Sequence, residues 1–260
     1  MYQFGVIGVG HMGAAMAKRL AGASPVAVFD TLPQAMQKLA DYPGICCLSL
    51  AEICVQCHCL VVVVRPMDVF PLLAEINGII PDNLPLLCMA AGVTTADIQK
   101  TLPRGCALRG MPNTPAQIGM GAVALSTATT APEAVRRAIE QGLAPLGLVV
   151  WVAEEQMNAV TALSGSGPAY VYAFIDALAK AGTSLGLAPD AALALAMQTV
   201  QGSAFFADQS DKSLSALIDA VCVPGGTTEA AMQVLREKDF SANLGEAVSA
   251  AATRARELGK

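Results

Sequence analysis

Two patterns of hydrophobic and polar positions divide this chain. As far as about residue 153, short apolar runs alternate with stretches of helical spacing; beyond it only the helical spacing remains. Gln3–Ile7, Pro25–Phe29, a short segment near Cys46, Leu60–Val64, Pro85–Met89 and Leu148–Val152 read as strands. Ala14–Leu20, Pro33 to about Tyr42 and Pro132 to about Leu143 read as helices between them. Leu60–Val64 is apolar at every position, as a central parallel strand covered on both faces should be. The alternation predicts an α/β doubly wound sheet over residues 1–153. Residues 154–260 predict an all-α domain, with helices over 154–163, 168–185, 189–207, 213–222, 226–237 and 241–258. Pro168 and Pro189 suit first helical turns, and Gly186 suits a helix end.

The segment 191–206 is apolar on nearly every side, and a domain of about a hundred residues has too little interior to bury it alone. Composition sharpens this: 54% of residues are hydrophobic and only 14% charged, below the usual quarter. Interlocking with a second copy through the helical half would cover such a helix. A homodimer, or an assembly of dimers, is therefore predicted. The net charge of −5, with no basic run, argues against nucleic acid as a partner. No apolar stretch reaches the roughly eighteen residues that span a bilayer. The N-terminus lacks a positive region ahead of an apolar segment, so a cytoplasmic protein is expected.

Candidate chemistry begins at the first strand. Gly8-Val-Gly10-His11-Met12-Gly13 follows it directly and runs into a helix, giving G-x-G-x-x-G in the strand–turn–helix context that binds a dinucleotide. Gly8 permits the tight turn, Gly10 lets the backbone approach a pyrophosphate, and Gly13 lets helix and strand pack closely. The first half is thus expected to be a Rossmann-type domain. Asp30 lies twenty residues beyond Gly10, where this fold places an acid on the adenosine ribose. It would repel a 2′-phosphate, and no arginine or lysine appears over residues 31–37. NADH is favoured over NADPH on that ground, the alternative being that Asp30 only caps the next helix. Val64, Arg65 and Pro66 close one strand, and Ala90, Ala91 and Gly92 close the next, at the carboxyl ends where such sheets bind ligands.

Arg109-Gly-Met-Pro112-Asn113-Thr-Pro115 predicts a rigid turn, with Asn113 a candidate for fixing the nicotinamide amide or the substrate. Two glycine-rich loops precede helices in the second half, Ser164-Gly-Ser-Gly-Pro168 and Val223-Pro-Gly225-Gly226-Thr227-Thr228. The second offers backbone N–H groups suited to a carboxylate, beside two hydroxyls. Cys54-Val-Gln-Cys57-His58 matches a haem-attachment pattern, with Cys46, Cys47 and Cys59 nearby among the chain's eight cysteines. No second ligand pair stands at zinc-like spacing, so these are expected to be reduced, mostly buried thiols on a helix and turn before a strand.

Over its whole length the chain resembles pyrroline-5-carboxylate reductases. The resemblance rests on Gly8-x-Gly10-x-Met12-Gly13, Arg65-Pro66 where the family usually has Lys-Pro, and Ala90-Ala-Gly92. It continues through Met111-Pro-Asn-Thr-Pro115, Met157–Val160, Thr161-Ala-Leu-Ser-Gly-Ser-Gly-Pro-Ala-Tyr170 and Pro224-Gly-Gly-Thr-Thr228. It implies reduction of pyrroline-5-carboxylate to proline, the last step of proline synthesis, with NADH or NADPH, in a dimer whose helical half completes the neighbour's site. It also implies that the Pro-Gly-Gly loop, here Gly225, Gly226 and Thr227, holds the substrate carboxylate. Thr228, placed beside the ring nitrogen, is the candidate catalytic residue. Val223 stands where a serine is commoner, and Asp30 where many members have asparagine or serine.

Two other functions fit parts of the pattern. A reductase of a related imine or a small hydroxyacid would account for Val223. A hydroxyacid enzyme, however, needs a positioned proton donor, commonly lysine or histidine; the only histidines are His11 and His58, and the first lysine after Gly167 is Lys180. A dinucleotide-binding regulator without turnover would have no need of the Pro-Gly-Gly-Thr-Thr loop.

Overall fold

A computed structural model describes residues 1–127 and 131–258. The chain forms two compact units, Met1–Ser166 with Ala251–Lys260, and Gly167–Ala250. In the first, β1 (Tyr2–Ile7), β2 (Val26–Phe29), β3 (Ile45–Cys47), β4 (Cys57–Val62), β5 (Pro85–Cys88), β6 (Cys106–Met111), β7 (Gly121–Thr127) and β8 (Gly147–Trp151) make one sheet. Their order is β3-β2-β1-β4-β5-β6-β7-β8, and every pairing is parallel except β6 with β7. The chain winds outward from β1 to β3 and then crosses back to β4. The carboxyl ends of β1 and β4 therefore flank the crevice where a doubly wound sheet takes its ligand.

The helices of this unit are α1 (His11–Ala21), α2 (Pro33–Gln37), α3 (Leu50–Gln56), α4 (Pro66–Ile76), α5 (Thr95–Thr101), α6 (Glu133–Leu143) and α7 (Met157–Val160). Their apolar stripes cover both faces of the sheet. Met16, Ala17 and Leu20 of α1 share a core with Phe4, Val6, Val61 and Leu87. Ile53 of α3 and Val69, Leu73 and Ile76 of α4 pack with Leu60, Val62, Leu86 and Cys88 on the other. These alternating strand positions explain why β4 is apolar from Leu60 onward. Helix α3 starts where it does because Ser49 and Glu52 form a reciprocal capping box.

Several elements depart from the pattern read in the sequence. Helix α2 stops at Gln37, and the chain to Tyr42 continues in tighter turns, with the Leu39, Ala40 and Tyr42 N–H groups bonded three residues back. Helices α4 and α5 and strands β6 and β7 carry no clear signal. Pro71 interrupts the periodicity of α4, and Arg109 interrupts the apolar run of β6. Cys57 and Cys59 belong to β4 itself, not to a turn before it.

The second unit contains α8 (Gly167–Ser184), α9 (Pro189–Asp208), α10 (Leu214–Val221) and α11 (Thr227–Glu237); α12 (Phe240–Leu258) begins in it. Gly186 has φ +97°, the left-handed conformation that ends α8. Close approach of α8 and α9 relies on small residues, since a Cβ on Gly182 would lie 3.2 Å from that of Ala192. Within Gly167–Ala250 only Ala192 and Ala196 are buried. Leu193, Leu195, Met197, Phe205 and Phe206 of α9 are exposed, so this unit has apolar surface it cannot cover itself. No helix among the described residues is long and apolar enough to cross a membrane.

Candidate active site

The turn from β1 to α1 has the shape that its glycines require. Gly8 has φ +93°, and a Cβ there would stand 2.7 Å from the Val63 carbonyl oxygen. A Cβ on Gly13 would collide with the Gly8 carbonyl oxygen, which fixes how closely α1 approaches β1. Around Gly10, in contrast, nothing lies within 4 Å of where a Cβ would be. Gly10 is also the N-cap of α1 and makes no side-chain cap, so the first-turn N–H groups are left for an external anion. Backbone donors around open space form a cradle that fits a pyrophosphate. Met12 is partly buried beside it, and His11 is exposed with its Nε2 3.2 Å from Gln117 Nε2.

Asp30, at the end of β2, is tied to this turn. Its Oδ2 accepts the Val9 N–H at 2.8 Å and its Oδ1 accepts the Leu32 N–H at 2.9 Å. It does not cap α2, whose N-cap is Leu32. An ionised carboxylate with two such bonds still has lone pairs for ribose hydroxyls.

Val64, Arg65 and Pro66 follow β4 and lead into α4, while Ala90, Ala91 and Gly92 follow β5. Both segments thus lie at the carboxyl edge beside the glycine turn. Arg65 is exposed and its Nε pairs with Asp68 Oδ2 at 2.7 Å. A cavity of about 620 Å³ opens between these loops, lined by Pro66, Met67, Phe70, Ala91, Gly92 and Lys100, among others.

Asn113 follows β6, and both ends of its amide are engaged. Its Oδ1 accepts the Ala122 N–H at 2.9 Å, and its Nδ2 donates to Ser164 Oγ at 3.4 Å. Ser164 sits in a widened helical turn, Thr161–Gly165, closed by a Ser166 N–H bond to the Thr161 carbonyl at 2.8 Å. Such widened turns recur at functional sites.

The sequence pattern missed Arg109 and Glu154. Arg109, expected in a turn, is a buried residue of β6, and its Nη1 donates to Glu154 Oε1 at 2.9 Å. The Arg109 side chain is 4% exposed and that of Glu154 23%. Glu154 also accepts Ser126 Oγ at 2.5 Å and the Thr95 N–H at 3.4 Å. The available signal was an arginine inside an otherwise apolar run, which needs a counter-charge when buried.

In the second unit, Gly225 takes φ +72° in the loop before α11, and its N–H donates to Glu229 Oε2 at 2.6 Å. The Gly226 N–H donates to the Val223 carbonyl at 3.0 Å. The first-turn amides of Thr227 and Thr228 have no acceptor within α11. Thr228 is partly buried, whereas Val223 and Thr227 are exposed. The structure thus gathers Gly8, Gly10, His11, Met12, Gly13, Asp30, Val64–Pro66 and Ala90–Gly92 along one sheet edge, with Gly225–Thr228 in the second unit.

The Cys-x-x-Cys-His run resolves into a helix and a strand. Cys54 and Cys57 are buried and His58 is exposed. Burial pushes the Cys54 thiol up to about 11 and the Cys57 thiol up to about 12, which keeps both protonated and unreactive near neutrality.

A doubly wound sheet with this glycine turn, followed by a helical unit, points to the class of dinucleotide-dependent oxidoreductases. Residues 3–102 match the NAD binding domain of 6-phosphogluconate dehydrogenase, and residues 154–258 match the pyrroline-5-carboxylate reductase dimerisation family. The pyrroline-5-carboxylate reductase of Pisum sativum is 37% identical over 99% of this chain and 96% of its own length. The solved pyrroline-5-carboxylate reductase of Coxiella burnetii superposes with a TM-score of 0.94 at 30% identity, covering 100% of this chain and 99% of that one. That of Plasmodium falciparum, solved with NADP bound, gives 0.85 at 25% identity, covering 100% and 98%. The chain belongs to the pyrroline-5-carboxylate reductase family. Its helical half is that family's dimerisation domain, and the protein is a homo-oligomer.

Proposed function

We propose that this protein reduces pyrroline-5-carboxylate to proline, with NADH as the preferred donor. The reading rests on the family's dinucleotide turn and its Pro-Gly-Gly-Thr-Thr loop occurring in one chain. The nicotinamide dinucleotide, when bound, supplies a hydride. The turn amides at Gly10–Gly13 would hold its pyrophosphate, Asp30 its adenosine ribose, and the segments at Val64–Pro66 and Ala90–Gly92 its nicotinamide half, with Asn113 nearby. The loop at Gly225–Thr228 would hold the substrate carboxylate. There the Gly226 N–H already bonds Val223, which leaves the Thr227 and Thr228 amides as the free donors.

A protonated cyclic imine carries its positive charge before reaction and accepts hydride without a further proton. The protein's task is then orientation of donor and acceptor, with the Thr228 hydroxyl fixing the ring nitrogen. The dinucleotide preference follows from Asp30, whose charge opposes a 2′-phosphate, and from the absence of lysine or arginine over 31–37. We further propose a dimer as the basic assembly and the cytoplasm as its location. A related imine as substrate is the second reading, favoured by Val223, an exposed residue where the loop turns.

Steady-state reduction of pyrroline-5-carboxylate, with NADH and NADPH side by side, tests these points together. A higher kcat/KM with NADH is expected. Preference for NADPH would keep the reaction and remove the Asp30 argument. Dinucleotide binding without turnover would point to another substrate.

A further inference from the structure

Arg109 and Glu154 form the most enclosed ion pair among the described residues, and no step of the proposed reaction uses it. Its partners show what it holds. Glu154 collects three donors from separate elements: Arg109 of β6, Ser126 of β7, and the Thr95 backbone at the start of α5. Thr95 ends the loop that begins with Ala90. At the loop's other end Arg109 is in register with Cys88, the last residue of β5. Between these anchors Ala91 packs on Met111, Ala124 and Met157, the last only three residues beyond Glu154. Glu154 also leads into the segment whose Ser164 bonds Asn113. One carboxylate thus ties the Ala90–Gly92 loop and the Asn113 turn to the same point.

We propose that Glu154, with Arg109 as its counter-charge, is the positioning residue for the nicotinamide half of the dinucleotide. It touches no reacting group. It sets the height of the Ala90–Gly92 loop above β5, and Arg109 keeps the carboxylate aimed at Thr95 and Ser126. The bonding supports this assignment: a largely enclosed carboxylate held by three donors has few rotamers left, so the loop inherits its precision. This rests on the dinucleotide reading of the glycine turn and on imine reduction as the reaction.

The test compares NADH with ADP-ribose, which lacks the nicotinamide, by fluorescence and calorimetry on the full chain. Glu154→Asp keeps the charge for Arg109 but shortens the reach to Thr95 and Ser126. NADH should bind about 5–10-fold more weakly and kcat should fall at least about tenfold, as a displacement of around an ångström implies. ADP-ribose affinity should stay within about twofold, since the pyrophosphate cradle lies elsewhere. The paired substitution Arg109→Met with Glu154→Met removes both charges, strands neither, and should recover the wild-type melting temperature while keeping the NADH and kcat defects.

Recovery of activity together with stability in the paired variant would overturn the proposal. So would equal weakening of NADH and ADP-ribose, or failure of both variants to fold, each of which marks a purely structural pair. A wild-type chain that shows the NADH and ADP-ribose contrast against its variants, yet does not turn over pyrroline-5-carboxylate, would sink the substrate reading and leave Glu154's role standing.

Discussion

The bare apolar side chains of α9 give the most quantitative prediction. Leu195 is 58% exposed and Phe206 is 66% exposed. They lie eleven residues apart, three helical turns, so they share one stripe. Fully burying a leucine or phenylalanine is worth about 1.5–3 kcal/mol, and the exposed fractions scale this to about 1–2 kcal/mol for each. A two-fold dimer that covers this stripe counts it twice, for about 4–8 kcal/mol in all. Replacing both residues by lysine should therefore raise the dissociation constant of the dimer by about 10³- to 10⁶-fold. Lysine is a good helix former, so helicity should be unchanged. Sedimentation velocity over a concentration series, with circular dichroism as the control for folding, reads the outcome. A folded Leu195→Lys/Phe206→Lys variant that dissociates at the wild-type concentration would show that this stripe lies outside the interface.

Two further outcomes are expected. Thr228→Ala should lower kcat/KM about tenfold, the worth of one hydrogen bond, and leave dinucleotide affinity intact; unchanged turnover would remove Thr228 from the mechanism. Cys54 and Cys57 bind their protons more tightly folded than unfolded, so the stability they confer is complete below about pH 8.5 and lost as pH rises through their raised values near 11 and 12. Urea midpoints under reductant should fall on going to high pH, and less steeply in Cys54→Ala/Cys57→Ala; parallel slopes would refute the assignment.

How much of this could be read in the sequence depended on the range of each interaction. Gly8 and Gly13 are constrained by crowded backbone in one short turn, and Leu60–Val64 by burial on both faces, so local pattern disclosed them along with Gly10 between them. The twenty-residue offset to Asp30 is set by one βαβ unit and was equally visible, although its bond to Val9 was not. Strands β6 and β7 escaped notice because an arginine, glycines and flanking prolines break their apolar runs. The Arg109–Glu154 pair spans 45 residues, and no local period encodes a partner at that distance. The substrate loop was visible as composition, but which of its amides are already spent on Val223 and Glu229 is a fact of folded geometry.

The bond from Asp30 to the Val9 amide gives one side chain two allegiances. The acid that would discriminate between dinucleotides also holds the turn that receives either of them. Cofactor preference in this chain is therefore not a detachable trait. A lineage or an engineer exchanging Asp30 for a small residue to admit a phosphate would also loosen the turn. The substitutions that travel well are those that leave an oxygen in the same place, and asparagine is the nearest of them.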